Sequence, residues 1–507
     1  MNSAKTVFLV TVVLLVGGIL LLRRGSEGGR VSPAKEPGAR GTGKQPLVLY
    51  CAAGIKPPVE AVAKEYEQLY GTPIQLQFGG SGTLLSNFKL AQKGDLFLAA
   101  DESYIRLARS NHLVAESLPL ARMKPVIGVQ KGNPKNIRTV ADLLRPDVRT
   151  ALANPDAASI GKLTRELLQK SGHWEALQAK AKVFKPTVTE VANDVLLAAV
   201  DAGILWDATV NQHPELEMVT TPALDEGGET ITIGILEFTK RPTDALRFAR
   251  YLGARDKGLV EFKKFGYAPV DGDVWAEHPR VVLFSGGVNR IAIEETIKAF
   301  EQREGVDVSR VYNGCGILLS QLRAGQRPDA YFACDVSFMT QVTDLFLDSI
   351  NVSQTDIVLL VQKGNPKGLR SLADLARPGL KIGVGNPQQS TLGALTKQLL
   401  EGAGLLEKVM ENVRSQTPTA DLLVNQCQTG SLDAVVVYEA NTSQIRDKLD
   451  LVRVDHPLAK AVQPIAVARK TDQRYLTERL SAAIRSAASK TRFESLGFHW
   501  LAPLESP

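Results

Sequence analysis

Two loops rich in small and hydroxyl residues occur in each half of this 507-residue chain, and both are suited to holding an anion. In the first half, Ser81 stands in a Gly-rich turn and Ser159 lies in the loop of residues 154–161. Cys315 and Thr391 take the corresponding places in the second half. Each loop leads into a helical pattern, whose first backbone amides lack a partner within the helix and whose dipole favours negative charge.

These loops repeat because the chain is a tandem duplication. The heptapeptide of residues 129–135 recurs unchanged at 361–367, an offset of 232. Farther upstream, Gly-Ser-Gly at 80–82 matches Gly-Cys-Gly at 314–316 with an offset of 234. A period this long is the size of a whole domain rather than of a solenoid unit. We therefore predict two modules, residues 47–279 and 280–507.

Each copy alternates short apolar runs with helical patterns. In the first copy, apolar runs at 47–50 and 96–100 flank a helical face at 59–70 and an alternating strand at 74–78. The second copy matches these elements in order, at 281–284, 293–304, 306–311 and 330–333. The pattern indicates an α/β fold with a mostly parallel sheet. In such sheets, ligands bind beyond the carboxyl ends of the strands, where these loops lie.

Several polar residues and cysteines have a structural as well as a functional interpretation. Ser81 fits the N-cap of the following helix as well as a ligand donor. Asp95 and Asp329 are interpreted as turn residues, and Asp101 and Asp335 as helix caps near a hinge. Cys315 at a helix start is a candidate reactive thiol, although a simple replacement of Ser is the favoured interpretation. The spacing of the four cysteines, which we interpret as buried apolar residues, predicts neither a metal cluster nor a disulfide framework: Cys51, Cys315, Cys334 and Cys427.

The charge of the chain is concentrated at its N-terminus. The net charge is +6, but residues 1–45 carry seven Lys or Arg against two Glu, which leaves 53 basic and 52 acidic residues in the body. A nearly neutral body gives no support to nucleic-acid binding. Residues 6–22 are uncharged and reach about 26 Å as a helix, slightly less than a hydrocarbon core of about 30 Å. We predict an N-terminal transmembrane anchor at residues 1–24, or alternatively a cleaved signal peptide, followed by a flexible Gly/Pro linker at 25–46.

Taken together, these motifs resemble the periplasmic molybdate-binding family, the substrate-binding components of ABC importers. The resemblance covers nearly all of both halves, including the GGSG turn, the Lys-Gly-Asn-Pro turn and the Asn-Pro-(x)5-Gly loop. It implies two tandem modules like type II periplasmic binding proteins, each with two α/β lobes, a hinge and a ligand cleft. The crossover strands are then expected near residues 126–129, 231–236, 357–361 and 465–468.

The resemblance also implies which positions contact the ligand. The family holds a tetrahedral dianion with Ser hydroxyls, main-chain amides and a Tyr hydroxyl. The matching positions are Gly54, Ser81, Ile160, Val188 and Trp206 in the first module, and Val288, Cys315, Leu392, Ala420 and Tyr438 in the second. The first Ser is absent from both modules, and Ser159 and Thr391 are candidate replacement hydroxyls. Trp206 and Tyr438 fit the core or the cleft wall more readily than a donor role.

The function implied is that of an extracytoplasmic solute-binding protein that takes a molybdate-like oxyanion for ABC-type import or for sensing. No reaction, cofactor, metal or nucleic acid is expected; the expected partners are the anion, an ABC permease and the membrane. Two alternatives stay open: another ligand, such as an iron complex or an organic acid, or a scaffold whose clefts bind nothing. The basic residues that follow the apolar segment favour a cytoplasmic body. The family resemblance implies export instead, and we therefore expect the body in the periplasm or another extracytoplasmic space.

Overall fold

The computed structural model describes residues 44–181 and 184–503. The predicted anchor, and all of the predicted linker except residues 44–46, lie outside this part of the chain. Within the described residues, no helix has both the length and the apolar character needed to cross a membrane.

The first module contains eleven strands in its described residues. They are β1 (Leu47–Ala52), β2 (Ile74–Gly79), β3 (Leu96–Ala99), β4 (Val114–Met123), β5 (Pro125–Gln130), β6 (Thr150–Ala153), β7 (Phe184–Lys185), β8 (Ala202–Trp206), β9 (Leu216–Val219), β10 (Glu229–Leu236) and β11 (Ala268–Pro269). Its α-helices span Lys56–Tyr70, Ser81–Ala91, Glu102–Ser110, Ser159–Lys170, Trp174–Lys180, Val188–Leu196, Asp207–Asn211, Pro222–Asp225, Pro242–Leu252 and Gly258–Lys264.

The second module repeats this order from Arg280 onward. Its strands are β12 (Arg280–Gly286), β13 (Asp307–Asn313), β14 (Ala330–Phe332), β15 (Ile350–Gln362), β16 (Ile382–Gly385), β17 (Val413–Thr417), β18 (Ala434–Tyr438), β19 (Leu449–Arg453), β20 (Lys460–Val467) and β21 (His499–Trp500). Its α-helices span Arg290–Glu304, Cys315–Arg323, Val336–Met339, Thr391–Gly402, Leu406–Met410, Ala420–Gln428, Arg474–Ile484 and Ala487–Ser495.

The residues of the first βαβ unit explain its structure. β1 is apolar on both faces and almost wholly buried, whereas β2 lies at the sheet edge and exposes Gln75 and Gln77. The helix between them carries prolines in its first turn, where a missing amide costs no helical hydrogen bond. It ends at Gly71, whose positive φ of 64° suits a residue without a side chain.

Each module consists of two lobes. In the first module, lobe one is a six-stranded sheet of order β11-β4-β10-β3-β1-β2, and lobe two a five-stranded sheet of order β7-β6-β8-β5-β9. The strands predicted as crossovers are β5 and β10, and each flanks a point where the chain passes between the lobes. The strands next to each crossing are antiparallel to their neighbours, so the sheets are mixed. The prediction of a mostly parallel sheet is therefore wrong. β10 is antiparallel to β3 and β4, and β5 to β8 and β9.

The second module crosses between its lobes on one unbroken strand. The first half of β15 pairs with β20 in lobe one, and its second half pairs with β18 in lobe two. At the crossing, the amide of Ile357 donates to the carbonyl of Ala459 at 2.9 Å. Pro125 occupies this position in the first module and has no amide to donate. The equivalent strand is therefore divided into β4 and β5 at Lys124.

A buried Arg–Glu–Arg triad joins the first lobes of the two modules. Glu304 accepts a hydrogen bond from Arg250 of the first module at 2.8 Å and from Arg479 of its own module at 2.6 Å. The Glu304 side chain is only 2% exposed. Burial alone raises the pKa of its carboxyl, but the two guanidinium groups outweigh burial and lower the pKa. Around the triad, Arg303 pairs with Glu116 across the same contact.

We expect Glu304→Gln to destabilise the contact between the modules, because it leaves two buried guanidinium groups without a counter-charge. Breaking a buried ion pair in this way costs about 3–5 kcal/mol. Denaturant unfolding of the full chain measures this loss. The control is Glu401→Ala, which removes an exposed pair with Lys397 and should change stability by no more than about 1 kcal/mol. Equal effects of the two variants would show that the triad does not hold the modules together.

Candidate functional site

Six residues singled out from the sequence line one small cavity between the lobes of the first module. These are Gly54, Ser81, Ser159, Ile160, Val188 and Trp206. The cavity has a volume of about 20 Å³, and its wall contains no charged side chain. The starts of three helices, Ser81–Ala91, Ser159–Lys170 and Val188–Leu196, meet there. Backbone amides at such helix starts suit an anion.

Ser81 is the best-placed hydroxyl in this first cleft. Its Oγ accepts hydrogen bonds from the Ala100 amide at 3.2 Å and from the Ser159 hydroxyl at 2.8 Å. The proton of Ser81 remains available to a bound group, since both of these bonds use its oxygen as the acceptor. Gly80, and not Ser81, is the N-cap of the helix, so the capping interpretation of Ser81 is wrong. The Ser81–Ser159 bond joins lobe one to lobe two.

The glycines beside Ser81 let the two lobes come into backbone contact. The amide of Gly82 donates to the carbonyl of Ala157 in lobe two at 3.0 Å. A Cβ atom at Gly80 would lie 2.3 Å from this carbonyl oxygen and 2.7 Å from that of Pro186. Only glycine allows this approach, and the second module repeats it with Gly314 against Gln389.

A valine explains the absence of the first family serine from both modules. In the first module, a Cβ atom at Gly54 would lie 2.7 Å from the side chain of Val188. In the second module the large and the small residue are exchanged. Val288 takes the position of Gly54, Ala420 takes that of Val188, and both lie on the cavity wall. Each cleft thus has one valine at this place, supplied from opposite lobes. A hydroxyl here would require removal of that valine.

The aspartates that recur at equivalent positions of the two modules have structural roles around the clefts. Asp101 and Asp335 accept hydrogen bonds from the amides of Ser103 at 2.6 Å and Ser337 at 3.0 Å, which confirms them as helix caps. Asp95 and Asp329 accept the amides of Val48 and Val282, as expected of structural residues.

Charged groups near the hinge differ between the modules. Lys162 of lobe two donates to Ser103 of lobe one at 2.5 Å and lies 4.0 Å from Asp101. Burial and the nearby Asp101 raise the pKa of Glu229, at the start of β10, to about 7. In the second module, the repeat offset places Ala394 at the position of Lys162 and Ala461 at that of Glu229. The contact of Lys162 with Asp101 therefore belongs to the first module alone.

Four of the predicted residues of the second module line its cleft, namely Val288, Leu392, Ala420 and Tyr438. This cavity has a volume of about 30 Å³. Trp206 and Tyr438 end equivalent strands and form cleft wall, in agreement with the preferred interpretation. Cys315 and Thr391 are predicted site residues that do not line the cavity, and both are buried.

Cys334 and Asp421 are two residues of the second cleft wall that sequence analysis missed. Cys334 follows β14, and its Sγ lies 3.1 Å from that of Cys315. The repeat offset of 234 pairs Cys334 with Ala100, the residue whose amide binds Ser81, but that contact is visible only in the structure. The Cys334 amide likewise donates to Cys315 Sγ at 3.1 Å. All four cysteines are buried, as the sequence interpretation expected.

We expect Gly80→Ala to prevent full closure of the first cleft, because its new methyl group would overlap two carbonyl oxygens of lobe two. The amides of Gly82 and Thr83, which both donate to Ala157, should then exchange hydrogen at least about tenfold faster. Hydrogen-exchange mass spectrometry of the full chain measures this rate. Gly228→Ala is the matched control, since a Cβ atom there meets nothing within 4 Å. Unchanged exchange in Gly80→Ala would show that the glycine contact does not limit closure.

Comparison with known proteins finds molybdate-binding proteins among those that this chain is similar to. The molybdate-binding protein ModA of Mycobacterium bovis is 28% identical over 223 residues, which are 43% of this chain and 84% of that protein. ModA of Escherichia coli is 24% identical over 226 residues, 40% of this chain and 87% of that protein. The solved periplasmic molybdate-binding protein of Azotobacter vinelandii has a TM-score of 0.39 and 18% identity, covering 44% of this chain and 99% of its own.

The family described as bacterial extracellular solute-binding protein matches two consecutive segments, residues 47–268 and 281–499. The two segments together account for most of the chain, and each contains one complete cleft. The chain therefore belongs to the bacterial extracellular solute-binding protein family and carries two copies of its domain in tandem.

Proposed function

We propose that the first module binds a small tetrahedral oxyanion, without a chemical step, for ABC-type import or for sensing. The observation that carries this proposal is the Ser81 hydroxyl, buried in an uncharged cavity at the start of three helices. The molybdate-binding relatives support the same class of ligand. The ligand donors in the first module are then Ser81, Ser159 and the amides of Ile160 and Val188, with Gly54 and Trp206 as wall.

Neutral donors suit a fully ionised anion. Hydrogen bonds to a charged group contribute about 1.5–3 kcal/mol each, roughly twice as much as neutral pairs. An anion that still carries a proton also needs an acceptor, and the wall of the first cleft has no carboxylate to supply one. We therefore propose molybdate, tungstate or sulfate rather than hydrogen phosphate as the ligand class.

The size of the cleft argues against the larger alternatives. The small cleft, of about 20 Å³, favours a compact anion over an iron chelate or a long organic acid, each of which would need the lobes to open farther. The Ser81 hydroxyl, buried at this cavity, favours a binding site over a scaffold without a ligand. A larger ligand and a scaffold without any ligand are both possible outcomes of the binding experiment below.

We predict that a ligand present at about 100 times its dissociation constant will stabilise the first module by about 2.7 kcal/mol. Thermal unfolding of the full chain with molybdate, tungstate, sulfate, phosphate and ferric citrate measures the shift. Ser81→Ala should weaken binding by about tenfold to a hundredfold, since it removes one hydrogen bond to a charge. Ser110→Ala, at an exposed helix end, is the control. A shift with ferric citrate alone, or with no compound, would contradict the oxyanion proposal.

We also propose that residues 6–22 anchor the protein, so that the body lies outside the cytoplasm beside an ABC permease. The support is the uncharged segment itself and the extracellular character of the family. The full chain expressed in a bacterium should stay with the membrane fraction after carbonate washing, and protease added to spheroplasts should digest the body. Protection of the body would contradict export, and release of a shortened chain would show a cleaved signal peptide.

A further inference from the structure

Two thiols face each other at the second cleft, where the first cleft has a hydroxyl and a methyl group. Cys315 replaces Ser81 at the helix start, and Cys334 replaces Ala100 after the strand. Their sulfur atoms lie 3.1 Å apart. Cys334 lies on the wall of the cavity and Cys315 directly behind it, fully buried. An atom that enters this cavity therefore meets the Cys334 sulfur, with the Cys315 sulfur 3.1 Å beyond it.

The pKa values of the two thiols shift in opposite directions. Burial raises the pKa of Cys315, but the contacts with the thiol and the backbone amide of Cys334 act against burial, and the pKa is lowered. The same contact with Cys315, together with burial, raises the pKa of Cys334 well above its usual range. A thiolate is the nucleophilic and ligand form of cysteine.

A carboxyl group distinguishes the second cleft from the first. Asp421 lies on the cavity wall, where the first module has Thr189. An ionised carboxylate repels a dianion, so the second cleft is less suited than the first to that class of ligand.

The second cleft nevertheless keeps its donors for oxygen. The helices Thr391–Gly402 and Ala420–Gln428 begin at the cleft, and Leu392 and Ala420 lie on its wall. The Tyr438 hydroxyl is buried and has no hydrogen-bond partner within the described structure. A suitable ligand therefore carries oxygen and binds two thiols.

We propose that the second cleft binds a trivalent thiophilic oxyacid, arsenous or antimonous acid, through Cys315 and Cys334. Such an acid is uncharged near neutral pH and keeps a hydroxyl group after it has bound two sulfurs. That hydroxyl is placed to meet the Tyr438 side chain and the helix amides. The trivalent centre is pyramidal and holds its ligands at about right angles, which suits two adjacent sulfurs.

The binding step is a condensation without oxidation or reduction. Two S–H bonds and two bonds from arsenic to hydroxyl groups break, and two arsenic–sulfur bonds form. The two hydroxides leave with the two thiol protons as two water molecules, and arsenic stays trivalent with its third hydroxyl. When Cys315 is already a thiolate, the solvent supplies the proton it lacks.

The test measures retention of arsenite by the reduced full chain, with a phosphine as reductant so that no added thiol competes. We expect one arsenic per chain by equilibrium dialysis and elemental analysis. Cys334→Ala should weaken binding by at least about a hundredfold, because a single thiol cannot chelate. The double variant Cys315→Ser with Cys334→Ala carries the residues of the first module and should bind no arsenic. Cys427→Ser, on a helix away from the pair, is the control.

Three outcomes would overturn the inference: no arsenic retained by the natural sequence, equal retention by Cys334→Ala, or retention of silver(I) but not of arsenite. Oxidation of the chain with a disulfide donor should abolish arsenite binding, and reduction should restore it. Thermal unfolding of each variant shows whether it remains folded. The result is independent of the first cleft, whose response to molybdate or sulfate is measured on the same double variant.

Discussion

Each cleft depends on a backbone contact that only glycine permits. The Gly-x-Gly turn of lobe one approaches the carbonyl groups of lobe two so closely that any Cβ atom at Gly80 or Gly314 would overlap them. This contact brings the helix starts of the two lobes to the same cavity. It uses main-chain atoms, so it fixes the geometry of the cleft while leaving the wall side chains free to differ.

The two modules use this freedom differently. A hydroxyl in one and a thiol in the other accept the same backbone amide, from Ala100 and Cys334 respectively. The backbone contact therefore accepts either oxygen or sulfur. The residue that supplies the amide also differs, because Ala100 has a methyl group where Cys334 has a thiol. Asp421 adds a carboxyl group whose pKa burial raises. One architecture thus presents two chemically distinct cavities.

The sequence predicted the modules well, because the duplication checks every motif against its twin. The six first-module residues do line one cavity, although their contact with a ligand stays a prediction. The relative direction of the strands was predicted wrongly, because the apolar runs do not show that the chain crosses from one lobe to the other and back. Two further features depend on packing across lobes and were invisible in the spacing: the exchange of valine between Val188 and Val288, and the closeness of two cysteines 19 positions apart. The interruption at Pro125 could have been anticipated from its missing amide.

The position of the Arg250–Glu304–Arg479 triad has a consequence for how the duplicated protein can diverge. Since the triad joins first lobes, opening of either cleft needs no movement across the joint between modules. We therefore expect occupancy of one cleft to change the affinity of the other only slightly. Mutations that give one copy a new ligand leave the older binding activity intact, so selection can act on each copy separately.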